Sequence, residues 1–249
     1  MLEGVKSGIR KIFSRKFPRK VSQTVLNNRL VFEVHNVIEE DRVTGSNSEI
    51  EFTEEIINEL QRKDVYFDIG SCIGFTAISA AKHSGCRVYA FEPDSELFQH
   101  LNKNISINEI ADQVKPNQWA VSDTDGTMDF FTSGANGASP SLAKTQDQSN
   151  KVTVKTYKID TAIKLGLLKT PDVVKLDIEG AELIALQGMS TTLSGSTAPR
   201  TIFIESHPKF LPHFHHSVAM LQQFLKDKNY KEVYMKERSD ENHHKFVKI

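Results

Sequence analysis

The sequence predicts an α/β fold: a doubly wound, mostly parallel sheet with a C-terminal antiparallel strand pair. Short β-rich apolar runs alternate with helical stretches over Val65–Phe224, as parallel strands joined by crossover helices do. The first run, Val65-Tyr66-Phe67, ends at Asp68, turns through Gly70 and Gly74 and leaves as an Ala- and Ile-rich helix from Phe75. Strand, glycine loop and helix in that order form the first half of a nucleotide-binding βαβ unit. At the other end, Tyr230–Met235 and Lys245–Ile249 read as terminal antiparallel strands.

In chain order, 1–48 reads as a basic segment with a small accessory hairpin, and 49–249 as the main domain. Met1–Lys20 carries seven Lys or Arg against the single Glu3, with Val5, Ile9, Ile12 and Phe13 at helical spacing. An amphipathic basic helix docked on an anionic membrane surface is one reading, and a solvated tail or cap is the other. Val21–Glu40 is β-prone, Glu49–Arg62 has acids early and bases late as a helix dipole favours, and Ser95–Asn108 is a helix capped by Asp94 or Ser95. Val114–Val121 is expected as one strand. Thr127–Phe131 and Lys151–Tyr157 pair, and Ser133–Asn150, poor in large apolar residues, is a loop with the character of a lid or acceptor-binding segment. Asp172–Leu176 and Thr201–Ile204 are further core strands, each followed by acids.

A net charge of −1 gives no electrostatic case for nucleic acid. Two cysteines form neither a disulfide framework nor a zinc set, and no apolar run reaches the length of a membrane span, so the expected setting is cytoplasmic. His213, His215 and His216 fit no closed metal site and read as a surface cluster, so no metal is assigned. A magnesium ion on Asp177 and Glu179 stays open as an alternative.

The loop Asp68-x-Gly70-x-x-x-Gly74 lacks the G-x-G-x-x-G spacing of a dinucleotide fingerprint. An Asp before the first glycine disfavours a phosphate and suits an ammonium. Glu92, at the tip of the second strand Arg87–Phe91, suits a ribose diol. Together they point to adenosine carrying an amino acid, S-adenosyl-L-methionine. Asp68, Glu92, Asp177 and Glu205 all fall at predicted carboxyl ends of strands, where open α/β sheets bind ligands.

Three motifs then resemble the FkbM family of S-adenosylmethionine-dependent methyltransferases, from about Glu49 to His207: Phe67-Asp68-Ile-Gly70-Ser71-Cys72-Ile-Gly74, Tyr89-Ala-Phe-Glu92-Pro93 with Leu101–Asn108 behind it, and Val174-Lys175-Leu-Asp177-Ile-Glu179-Gly180-Ala-Glu182. The family's first loop commonly has Ala-Asn where this chain has Ser71-Cys72. The resemblance implies a Rossmann-like class I fold and methyl transfer to an oxygen of a sugar, glycan or related metabolite, with a small-molecule or glycan acceptor. Asp68, Gly70, Ser71, Gly74, Glu92, Pro93, Ser122, Asp123 and Asp177 are the expected cofactor set, and Asp177, Glu179 and His207 the candidate catalytic groups. Lys175 and Glu182 are read as an ion pair supporting the turn, and Glu179 as a carboxylate meeting free helix N–H groups. The competing readings are a non-catalytic binding protein that keeps the fold, and a different transferase or an NAD-linked oxidoreductase.

Overall fold

The computed structural model of the 249-residue chain describes residues 16–45, 47–132, 142, 150–238 and 240–249. The basic run 1–15 and nearly all of the loop 133–149 lie outside the described residues. An antiparallel hairpin comes first, β1 (Arg19–Val25) and β2 (Asn28–Val34). The expected hairpin extends to Glu40, but the chain instead forms α1 (Val37–Thr44). The local cause is a capping box: Asn36 Oδ1 accepts from Glu39 N at 2.9 Å, while Glu39 Oε2 accepts from His35 N at 2.8 Å. Helix α2 (Asn47–Glu59) leads into β3 (Val65–Ile69), α3 (Phe75–Ser84), β4 (Arg87–Phe91), α4 (Ser95–Ile107) and β5 (Val114–Asn117).

The strand expected over Val114–Val121 is broken in two. β5 stays on the edge of the main sheet, where Pro116 has no inward ladder bond to lose. Trp119 packs edge-on against Phe91 and Tyr157, and β6 (Ala120–Val121) turns away to pair with β8 (Asn150–Tyr157). The expected pairing of β7 (Gly126–Thr132) with β8 is observed, Gly126 opposite Thr156 and Thr132 opposite Asn150. After α5 (Ile159–Lys164) come β9 (Val173–Leu176), α6 (Glu182–Gln187), α7 (Ser190–Ser194), β10 (Thr201–Ser206), a 3-10 turn (Leu211–Phe214), α8 (Val218–Asp227), β11 (Tyr230–Glu237) and β12 (Asn242–Lys248).

The main sheet has the order β11-β12-β10-β9-β3-β4-β5. Its pairings from β10 to β5 are parallel, and β12 runs antiparallel to both β10 and β11. This is the doubly wound fold expected, with its terminal antiparallel strands. Neighbouring residues on the central strands enter opposite layers of the core. Tyr66, Val173 and Phe203 join the cluster with Ile56, Ile78 and Leu101, whereas Phe67, Val174 and Ile202 join the one with Leu186, Leu221 and Leu225. A sheet buried on both faces needs such continuous apolar strands, so its polar residues gather at the strand ends.

The hairpin is built into the first layer, with Leu30, Phe32 and Val34 buried there. The outer edge of β2 is held by two side-chain amides, those of Asn104 in α4 and of Asn108 at its C-terminal cap. Val31 N donates to Asn108 Oδ1 at 3.1 Å and Val31 O accepts from Asn108 Nδ2 at 2.8 Å, while Glu33 N donates to Asn104 Oδ1 at 2.7 Å and Glu33 O accepts from Asn104 Nδ2 at 3.3 Å. No helix among the described residues is long and apolar enough to cross a membrane.

Candidate functional site

The carboxyl ends of β3, β4 and β9 open onto a concave cleft, apolar on one side and charged at one end. Its floor is made where two loops cross. Gly70 sits at φ 85°, and a Cβ there would lie 1.8 Å from the Asp177 carbonyl oxygen, so only glycine lets the loop after β3 pass under the loop after β9. Gly74 does different work: a Cβ there would meet Leu101 Cδ1 at 2.6 Å, which makes it a packing residue between α3 and α4. Of the two glycines, Gly70 lines the cleft.

Glu92 and Pro93 line it from the tip of β4. Glu92 Oε2 accepts from Cys72 N and Oε1 from Asp94 N, both at 2.9 Å. Each bond uses one lone pair, so the carboxylate keeps acceptor capacity toward the cleft. Burial pushes its carboxyl up to about 7 in spite of these bonds. Beyond Glu92 the wall is apolar: Phe91, Leu97, Trp119, Ala120, Val121, Phe130 and Leu142.

The opposite end is charged. Asp177 and Glu179 line it, together with Arg42 of α1. Asp177 Oδ2 accepts from Lys175 Nζ at 3.0 Å, and Asp68 Oδ1 stands 3.6 Å from the same ammonium. Burial opposes the Asp177 charge, but Lys175, His207 and Arg42 outweigh it and hold the carboxyl below its usual range. His207 Nδ1 lies 2.9 Å from Glu182 Oε1, and Nε2 faces Glu179 Oε2 at 3.6 Å and Asp177 Oδ1 and Glu205 Oε1, each at 3.8 Å. Glu205 Oε2 is 3.0 Å from His243 Nε2.

Several expected roles change. Asp68 is fully buried beside Lys175 and does not line the cleft, so its carboxylate organises the floor from below. Ser71 is likewise turned inward: its hydroxyl donates to Asp68 O and accepts from Phe91 N, fastening the loop to β4. Ser122 is buried within its own turn, with Thr124 and Met128 around its hydroxyl, and neither it nor Asp123 lines the cleft. Ala120 and Val121 take that place. The expected Lys175–Glu182 pair does not form, because β9 points Lys175 at Asp68 and Asp177 while Glu182 turns to His207. The carboxylate meeting a backbone N–H at the start of α6 is Glu182, which accepts from Gly180 N at 2.9 Å. Glu179, at φ 53°, faces the cleft instead. His207 is a poor base as it stands: burial opposes its charge, yet Glu182, Glu179 and Asp177 raise it to about 10, so it already holds a proton at neutral pH. Of the three histidines expected as a surface cluster, His213 and His215 are exposed and His216 is half-buried, with its Nδ1 turned inward.

Sequence reasoning missed Arg42, Cys72, Leu97, Trp119, Phe130 and Leu142 in the wall. Two carried a signal. Asn36-Val-Ile-Glu39 is a capping-box pattern that announces α1, and Trp119 is the chain's single tryptophan.

The methyltransferase FkbM domain matches residues 68–232 of this chain. The hexuronic acid methyltransferase AglP of Haloferax volcanii is 31% identical over 164 residues, a stretch covering 65% of this chain and 65% of that protein. The chain thus spans somewhat less than two thirds of that relative's length. Among solved structures, the Pyrococcus horikoshii protein PH0793 is similar in fold, with a TM-score of 0.51 at 12% identity, over 92% of this chain and 71% of that one. M. jannaschii TYW2 in complex with AdoMet has a TM-score of 0.49 at 14% identity, over 94% of this chain and 89% of that one.

Proposed function

Because the chain belongs to the FkbM methyltransferase family, we propose that it transfers a methyl group from S-adenosylmethionine to an oxygen, hydroxyl or carboxyl, of a sugar or glycan. The observation that carries this reading is Glu92: a buried carboxylate at a strand tip, oriented by Cys72 N and Asp94 N and retaining acceptor capacity toward the cleft. Its acceptor chemistry fits a ribose diol. The apolar wall around Trp119 and Val121 fits an adenine ring, and the backbone of Gly70 and Cys72 fits the amino-acid part. When bound, the cofactor supplies an electrophilic methyl on a sulfonium. The protein's share is to bring the acceptor oxygen into line with that methyl and to exclude water. Asp177, Glu179 and Arg42 form the end of the cleft that would receive the acceptor. An acceptor bearing a carboxylate is in keeping with the hexuronic acid in the relative's name.

Calorimetry is expected to show binding of S-adenosylmethionine and of its demethylated product, and none of NAD. Incubation with uronic-acid-bearing glycans should then add one methyl group, read by mass. NAD binding without a response to S-adenosylmethionine would overturn the assignment.

The position of the Glu92 carboxyl makes cofactor affinity depend on pH. Hydroxyl donors favour the ionised form, so binding below about pH 7 must release a proton. Affinity should therefore be flat above about pH 7 and fall by up to about tenfold per unit below it. A dissociation constant constant across that range would exclude Glu92 from the contact.

A further inference from the structure

We propose that Asp177, Glu205 and His207, with Glu179 beside them, bind one divalent cation of the Mn²⁺ or Mg²⁺ type at the acceptor end of the cleft. The proposal rests on the methyltransferase reading only for what the ion does, not for whether it binds. One suitable atom from each of Asp177, Glu205 and His207 lies within 4.8 Å of the others. Three converging carboxylates alone would be weak ground. The telling atom is His207 Nε2. The ring is 5% exposed, and Nε2, with no hydrogen bond among the described residues, is aimed among Asp177 Oδ1, Glu179 Oε2 and Glu205 Oε1 at 3.6–3.8 Å, so that a bound ion would take the place of the proton this nitrogen otherwise carries. These separations are too long for hydrogen bonds and leave room for a small ion between the atoms.

Two of the ligands are also held from behind by their other polar atom: Lys175 takes Asp177 Oδ2, and Glu182 takes His207 Nδ1. This is how outer partners orient metal ligands, and the carboxylate–imidazole contact is the most recognisable part of it. The cluster next door makes the contrast. Glu49, Glu241 and His243 also converge, with Glu205 shared between the two clusters, but they surround the guanidinium of Arg238, with Nη1 3.2 Å from Glu49 Oε2 and 3.1 Å from His243 Nε2 and paired with Glu241. The Arg238 charge is permanent, whereas the imidazolium of His207 gives up its charge with one proton when an ion binds.

One imidazole with two or three carboxylates suits Mn²⁺ or Mg²⁺, and lacks the thiolates or paired imidazoles that would select softer metals. Because Asp177 and Glu179 line the cleft, coordination positions left open by the protein face the acceptor. A uronic acid, with a carboxylate next to ring oxygens, is the acceptor class such an ion would hold.

The test is a titration of chelator-stripped, dialysed protein with Mn²⁺, followed by the paramagnetic resonance signal of the free ion. One ion per chain is expected, displaced by Mg²⁺. Glu205→Gln and Glu182→Gln should each weaken binding by about 10- to 100-fold, the range for lost inner and outer partners, whereas Glu49→Gln should leave it unchanged. Melting curves without metal establish that each variant is folded; should Glu205→Gln fail to fold, the wild-type titration and Glu182→Gln decide. Adding glucuronate should perturb the bound-ion spectrum and adding glucose should not. No saturable binding up to about millimolar Mn²⁺, the weak end for biological sites of this kind, would overturn the proposal, as would binding that survives both substitutions. A site that ignores glucuronate would remove the acceptor contact. Calorimetry with S-adenosylmethionine on the same samples separates the two readings: cofactor binding without Mn²⁺ binding rejects the ion alone.

Discussion

Glu92→Ala is expected to weaken S-adenosylmethionine binding by about 2–4 kcal/mol, tens to about a thousandfold, the scale of two hydrogen bonds to a charged group. Two losses combine in that figure. The ribose hydroxyls lose their acceptor. Cys72 N and Asp94 N lose theirs as well, so the loop after β3 and the cap of α4 are no longer tied to the tip of β4. Glu92→Gln separates these effects. Its amide oxygen keeps one backbone acceptor and one ribose acceptor, while the charge is gone. The glutamine variant should therefore fall between wild type and alanine, and its affinity should lose the pH dependence predicted for the carboxylate. Folding should survive in both, since no core strand depends on the residue, and melting curves check this. Cofactor affinity equal to wild type in Glu92→Ala would reject the ribose assignment.

Asp177→Asn is expected to lower kcat by about 10²-fold or more while leaving the cofactor dissociation constant within a few-fold of wild type, the pattern of a group that acts at the reacting end. The substitution preserves shape and removes one negative charge between Lys175 and His207. Lys175 keeps Asp68 at 3.6 Å, so the floor of the cleft should hold. What is lost is the anionic oxygen facing the acceptor, whether that oxygen takes a proton or helps to hold an ion. Measuring kcat, cofactor affinity and melting temperature on one preparation distinguishes this from simple destabilisation. Full activity in Asp177→Asn would show that the acceptor end of the cleft lies elsewhere.

The central strands were legible because their signal is local. Val65–Phe67, Val88–Phe91 and Ile202–Ile204 are unbroken apolar runs, as a sheet covered on both faces requires, Val173–Leu176 is interrupted only by Lys175, and each is followed by an acid. Those acids mark the rim, which is why Glu92, Asp177 and Glu205 could be placed before any coordinates. Whether a rim acid faces a ligand or the protein is not a local property. Asp68 looks like Glu92 in the sequence, but Lys175 arrives from a strand more than a hundred residues later and turns Asp68 into a buried partner. The fate of Lys175 and Glu182 was misread for the same reason: alternation along β9 and the position of His207 just beyond the end of β10 set their partners. Arg42 was missed because Val21–Glu40 is β-prone by composition, and the short capping pattern at Asn36 outweighs that preference.

The two asparagines of α4 and its C-terminal cap have a consequence for how the protein behaves in a crowded solution. A two-stranded hairpin at the start of a chain presents an outer row of backbone donors and acceptors, which is a template on which another molecule's strand can add. Here Asn104 and Asn108 offer their amides to Val31 and Glu33 with the spacing of a neighbouring strand, using both the N–H and the C=O of each residue. The helix thereby impersonates a third strand that cannot be extended. The same two residues that anchor the hairpin thus cover the outer edge of β2, so strand addition from another molecule should begin at an edge other than this one.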